Sequence, residues 1–110
     1  LTQLEDFLHK SGADGVDQYK KLLRQARQIV AVYVDKDISM LPKLQRQAAA
    51  TKDGADRGLL QFRIAKLSHY AGDEEQAEVY LHRAAKNLKN TAYSVIIDSA
   101  LEDHSVLERY

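Results

Sequence analysis

Residues 69–77 read His69-Tyr70-Ala71-Gly72-Asp73-Glu74-Glu75-Gln76-Ala77, and this stretch decides the fold. Gly72 closes one apolar-periodic segment, because a residue without a Cβ enters the left-handed conformation at little cost. Asp73 opens the next segment. Its short carboxylate suits the free amides of a first helical turn, with Gln76 three residues on. Glu74 and Glu75 add negative charge at the positive end of the helix dipole. Alanines at 77, 84 and 85 let a neighbouring backbone come close. Together these features predict an antiparallel helical hairpin over 57–87.

The inner faces of that hairpin follow the 3.6-residue period. Leu60, Ile64 and Leu67, flanked by Leu59 and Phe62, form the first stripe; Ala77, Leu81, Ala84 and Leu88, with Tyr80 alongside, form the second. Upstream, Val16, Tyr19, Leu23, Ala26, Val30 and Tyr33 recur at alternating steps of three and four, with Leu22 and Ile29 widening the stripe, predicting a long helix over 16–35. The width of this stripe is that of a helix packed into a globular core. Its last residues, 31–34, are apolar nearly all round, which fits either deep burial or cover by another chain. A short helix over 2–10, with Thr2 as cap and Leu4, Phe7 and Leu8 on one face, precedes a break at 11–15 marked by Gly12 and Gly15. Pro42 begins a helix over 40–51 that buries Leu41, Leu44, Ala48 and Ala49, since a first-turn amide has no helical partner to lose. Asn90 or Thr91 caps a last helix through Tyr93, Ile96, Ile97, Ala100 and Leu101, and 102–110 either extends it or frays. The expected fold is all-α: a compact bundle of about six helices arranged as antiparallel hairpins.

Ile64-Ala65, Gly72, Ala77, Leu81 and Ala84 together resemble one unit of the tetratricopeptide repeat, over about 57–90. The resemblance implies a helical scaffold, with Ala65, Ala77 and Ala84 as its small contact residues. The chain departs from the pattern at Gln61, where a large aromatic is usual, and at Ser68, where a tyrosine is usual. No proline closes the unit near Lys89, and no second copy stands 34 residues away.

The 110 residues provide for a single helical domain, 1–110, expected to be excised from a longer chain because it begins at Leu1. Hydrophobic residues make up 45% and charged residues 29%, which suits a folded rather than disordered chain. Sixteen acidic residues cancel sixteen basic ones, so no global field attracts nucleic acid or an anionic membrane. The longest apolar run, 29–34, is far short of the ~18 residues of a membrane span, and no membrane is expected as a partner. Without cysteine there is neither disulfide nor thiolate chemistry. A cytoplasmic location is the expectation, although nothing in the chain fixes the compartment.

No phosphate-binding glycine loop, nucleophile elbow or metalloprotease helix is present. The acids at 73, 74, 75 and 78 are accounted for by capping and the helix dipole. His69 and His82 flank the turn and can meet across it with Glu78, but two surface imidazoles are the simpler reading. No enzyme is expected, and no catalytic, cofactor-binding or metal-ligating residue is assigned. Tyrosine outnumbers phenylalanine six to two, and its ring serves stripe edges and interfaces alike. Tyr33, Val34, Tyr70 and Tyr80 are therefore the expected partner-binding residues. Lys20, Arg24, Arg27, Lys43 and Arg46 are the candidate contacts to phosphate or to an acidic partner. The expected function is a non-enzymatic protein-interaction, scaffold or adaptor domain. The alternatives are a regulatory domain touching nucleic acid through that basic face, or a self-associating domain built on 31–34.

Overall fold

The computed structural model describes the backbone from Thr2 to Tyr110 and the side chains from Gly15 onward. It is all-α, with no strand among the described residues. Five α-helices follow in order: α1 (Thr2–Ile29), α2 (Leu41–Ala50), α3 (Gly54–Tyr70), α4 (Glu74–Asn87) and α5 (Tyr93–Glu102). A π-helical turn (Val30–Val34) ends α1, a 3-10 turn (Ile38–Met40) leads into α2, and a 3-10 helix (His104–Glu108) closes the chain.

The hairpin forms as its residues require. The Gly72 backbone sits at φ +81°, and the Asp73 carboxylate accepts the Gln76 amide at 3.0 Å. At the other end of the pair, the Arg57 guanidinium donates to Asn87 Oδ1 at 3.3 Å, so the start of α3 lies beside the end of α4. Ala65, Ala77, Leu81 and Ala84 are fully buried between the helices. Gly58 allows the closest approach: a Cβ there would stand 2.7 Å from Leu88 Cγ and 2.9 Å from Asn87 Cβ. The positions that depart from the repeat pattern are filled by polar bonding. Gln61 Oε1 accepts from Asn87 at 2.7 Å, and the Ser68 hydroxyl accepts from Gln76 Nε2 at 2.8 Å.

α3 is the central element, buried on almost every side from Gln61 to Ser68. One face joins Leu81, Ala84, Leu88, Ile97, Ala100 and Leu107 around Phe62 and Ala65. The other joins Val32, Leu44 and Ala48 around Ile64 and Leu67. Asp53 caps α3 through the Asp56 amide at 3.0 Å, which starts the helix three residues earlier than its apolar period suggests. Of the expected face of α2, Leu44 and Ala48 are buried and Ala49 is exposed. α5 begins at Tyr93 with no side-chain cap from Asn90 or Thr91. Beyond α5 the chain neither continues as α-helix nor frays: the Asp103 carboxylate accepts the Ser105 amide at 3.0 Å, and Leu107 is fully buried.

The first third of the chain departs most from expectation. Five helices replace six because α1 runs without a break through 11–15. A glycine inside a helix costs only about 1 kcal/mol, and no proline is present to stop the ladder. The expected Thr2 cap and the Leu4, Phe7 and Leu8 face lie outside the described side chains. The long stripe is not core. Val16, Tyr19 and Leu23 are half-buried, while Ala26 and Val30 are exposed. Leu22 is 64% exposed, Ile29 43%, Val30 47% and Val34 65%. Of the large apolar side chains between 16 and 34, only Val32 is buried, where the π-turn, closed by the Asp35 amide on the Val30 carbonyl at 3.0 Å, inserts a residue and aims it into the core. A rod of 28 residues spans about 42 Å. The molecule accordingly measures 49 × 28 × 23 Å, with a radius of gyration of 16.0 Å against about 13 Å for a compact domain of this length.

Candidate functional site

The C-terminal turn of α1 meets the body through polar groups. Gln28 Nε2 donates to Gln47 of α2 at 2.6 Å, and Arg63 of α3 donates to Gln28 Oε1 at 3.0 Å. Two recesses open on either side of this junction. The more apolar, about 520 Å³, is lined by Ile29, Tyr33, Phe62, Arg63, Ala92, Tyr93, Ile96 and Tyr110. Ile29 also belongs to the exposed stripe of α1, so the stripe continues into the cleft. Phe62 and Tyr93 meet edge-to-face in its wall, with ring centroids 5.9 Å apart.

Arg63 reaches both recesses, and its buried Nε has no hydrogen-bond partner among the described residues. Beside it, burial raises the Tyr33 hydroxyl above its ordinary pKa, an effect the Arg63 guanidinium partly offsets.

The second recess is mixed, and more polar than the first. It lies between α1, α2 and α3 and is lined by Lys21, Arg24, Gln25, Lys43, Asp56 and Arg63 among others. Of the five expected basic contacts, Arg24 and Lys43 therefore share one groove, which Lys21 joins. Lys20, Arg27 and Arg46 are exposed but do not line it.

The four expected partner-binding residues separate into distinct environments. Val34 is open to solvent and Tyr33 walls the cleft. Tyr70 turns instead toward Lys66, whose ammonium lies 5.4 Å from the Tyr70 ring and 5.6 Å from the Tyr33 ring. Tyr80 is half-buried against both core clusters, with the Arg83 guanidinium 4.9 Å from its ring. Sequence reading missed Lys66 because its stem occupies an interior position of α3. The side chain is buried, and Nζ donates to the Leu107 carbonyl at 2.5 Å. Burial, and then the charge of Lys36, lower its pKa against a smaller opposing effect of Glu108.

The histidines are also arranged differently from a pairing of His69 with His82 across the turn. His82 is exposed, and neither it nor Glu78 joins a cluster among the described residues. His69, at the end of α3, meets Glu74 and His104 instead. The imidazole Nδ1 of His69 lies 2.7 Å from one Glu74 carboxylate oxygen, and that of His104 lies 2.5 Å from the other. Desolvation works to raise the Glu74 carboxyl, but the two imidazole hydrogen bonds and their charge outweigh it and hold the group below its usual range.

No helix among the described residues is long and apolar enough to cross a membrane. No protein-family model, curated protein or solved structure matches the chain.

Proposed function

We propose that this is a protein-interaction domain whose α1 face and adjoining cleft receive an amphipathic helix with acidic flanks. The observation that carries the reading is the uncovered stripe: Leu22, Ile29, Val30 and Val34 recur along a rod that its own body does not cover, with half-buried Leu23 beside them. A lone amphipathic helix is marginal in water and draws its stability from packing of its apolar face. The three-four spacing suits another helix, because side chains so placed interdigitate along a shallow crossing. Covering half-exposed Leu22, Ile29, Val30 and Val34 contributes roughly 3–6 kcal/mol before association costs, the range of a weak, reversible complex.

Charge favours an acidic occupant. Lys20, Lys21, Arg24 and Arg27 face only Asp17 on the same stretch, and Lys43 borders the groove beside it. Arg63 adds a cation that lines both recesses where stripe and cleft meet. The α3–α4 hairpin supplies the rigid support, in keeping with the resemblance to repeat scaffolds.

The test uses two peptides carrying the same apolar stripe, one flanked by Glu and the other by Lys. The Glu-flanked peptide should bind, weaken with salt, and lose about tenfold or more in affinity with Leu22→Ser/Ile29→Ser, whose exposed positions leave the fold intact. Equal binding of both peptides, or none, sinks the proposal. Sedimentation that shows a dimer dissolved by the same two substitutions replaces it with self-association.

A further inference from the structure

Three side chains from separate elements converge at the end of the hairpin: His69 from the last turn of α3, Glu74 from the first turn of α4, and His104 from the closing 3-10 helix. One ligand atom from each lies within 4.8 Å of the other two. We propose that these residues bind a late first-row divalent cation of the Zn²⁺ type. Two imidazole nitrogens and one carboxylate oxygen form a borderline donor set that prefers such ions to Mg²⁺ or Ca²⁺.

The geometry is close to what a cation requires. Bonds of about 2.0–2.2 Å in a tetrahedron place ligand atoms roughly 3.4 Å apart. The two Nδ1 atoms stand 2.7 and 2.5 Å from different Glu74 oxygens, and one ligand atom from each residue lies within 4.8 Å of the other two, so side-chain shifts of about 1–1.5 Å bring all three to one ion. Glu74 stands half in solvent, which gives an ion access, while both imidazoles are largely covered. The fourth position is left to water.

Both rings are positioned by their surroundings. They meet at 88° with centroids 6.4 Å apart. The Asp103 cap and buried Leu107 hold the turn that carries His104. His69 Nε2 faces Glu108 Oε2 at 3.7 Å. When Nδ1 of the neutral ring takes a cation, its proton moves to Nε2, where Glu108 lies ready to accept the new N–H. A carboxylate behind a ligating imidazole is the usual outer support of such sites. Loading joins the C-terminal turn to the hairpin across 30 residues of chain, so the ion acts as a staple on the end of the bundle.

Titration calorimetry of the intact domain with ZnCl₂, against MgCl₂ and CaCl₂, tests the site. One equivalent of Zn²⁺ should bind and raise the melting temperature, and neither of the other ions should. His104→Asn and Glu74→Gln should each weaken Zn²⁺ binding by about tenfold or more and abolish the melting shift. His82→Ala should leave both unchanged, and Glu108→Gln should weaken binding by less than either ligand change. Circular dichroism verifies that each variant is folded. Ring ¹⁵N shifts confined to His69 and His104 on loading report the ligands in the unmutated protein. Zn²⁺ binding that survives both ligand substitutions, that falls with His82→Ala, or that is absent from the unmutated domain overturns the proposal.

Discussion

Gly58→Ala sets two physical effects against each other and shows whether the hairpin is as tightly closed as described. Alanine is the better helix former, worth at most about 1 kcal/mol, so an open position at 58 would gain stability. The position is not open. The new methyl would meet Leu88 Cγ at 2.7 Å, Asn87 Cβ at 2.9 Å and Leu88 Cδ2 at 3.0 Å, where carbon pairs prefer about 3.5–4.0 Å. Leu88 is a core residue, and Asn87 Cβ is fixed to the α4 backbone, so relief requires α4 to move outward by about 0.5–1 Å. Overpacking of this kind costs about 1–3 kcal/mol, leaving a net loss near 1 kcal/mol after the propensity gain. Urea denaturation followed by circular dichroism should show a lower midpoint with an unchanged slope, and the melting temperature should fall by about 4 °C. In a Leu88→Ala background most of the penalty of Gly58→Ala should disappear, because two of the three crowded atoms belong to Leu88. Gly54→Ala is the control: its nearest neighbour, Asn87 Oδ1 at 3.6 Å, is at ordinary contact distance. A midpoint for Gly58→Ala equal to or above that of the unmutated protein would mean that α4 does not crowd position 58.

Other perturbations probe the turn, the core and the buried amine. Gly72→Ala places a Cβ on a left-handed residue with free space around it, so the cost should be conformational, about 1–2 kcal/mol by urea midpoint. Leu81→Ala, in the fully buried stripe, should lose about 2–5 kcal/mol, whereas Leu22→Ser on the open face should stay within about 0.5 kcal/mol of the parent. Lys66 gives a pH signature. Its folded pKa lies below the unfolded value of about 10.4, so between the two the unfolded chain binds more protons and stability rises with pH. Lys36, Glu108, Tyr33 and Tyr70 surround the amine, and a stability–pH curve should lose that alkaline rise in Lys66→Met while the rest of the profile keeps its shape.

The hairpin was legible because its signals are local. Gly72, Asp73 and the alanines act within a turn or two of their own positions, and the stripe at 77, 81, 84 and 88 is buried as its period implies. Periodicity shows that α1 has an apolar face but not whether anything covers it. The same spacing that placed Leu81 in the core left Leu22 in water. The π-turn at 30–34 shifts the face by one residue, so Val32 is buried against a uniform helical count. The His69–Glu74–His104 cluster was hidden for a different reason. It depends on docking of a turn 30 residues downstream of Glu74, and only the Asp103-His104-Ser105 capping pattern hints that this turn is ordered. Lys66 was equally hidden, since a lysine within a helix usually reaches solvent.

Amide hydrogen exchange along α1, measured on the domain alone and with the Glu-flanked peptide, shows whether the stripe is covered. An uncovered stripe predicts rapid exchange over 16–29 in the free domain, protected exchange in α3, and slowing over 16–29 when the peptide is added. Protection of 16–29 in the free monomer equal to that of α3 would contradict it, for the stripe would then already have its cover.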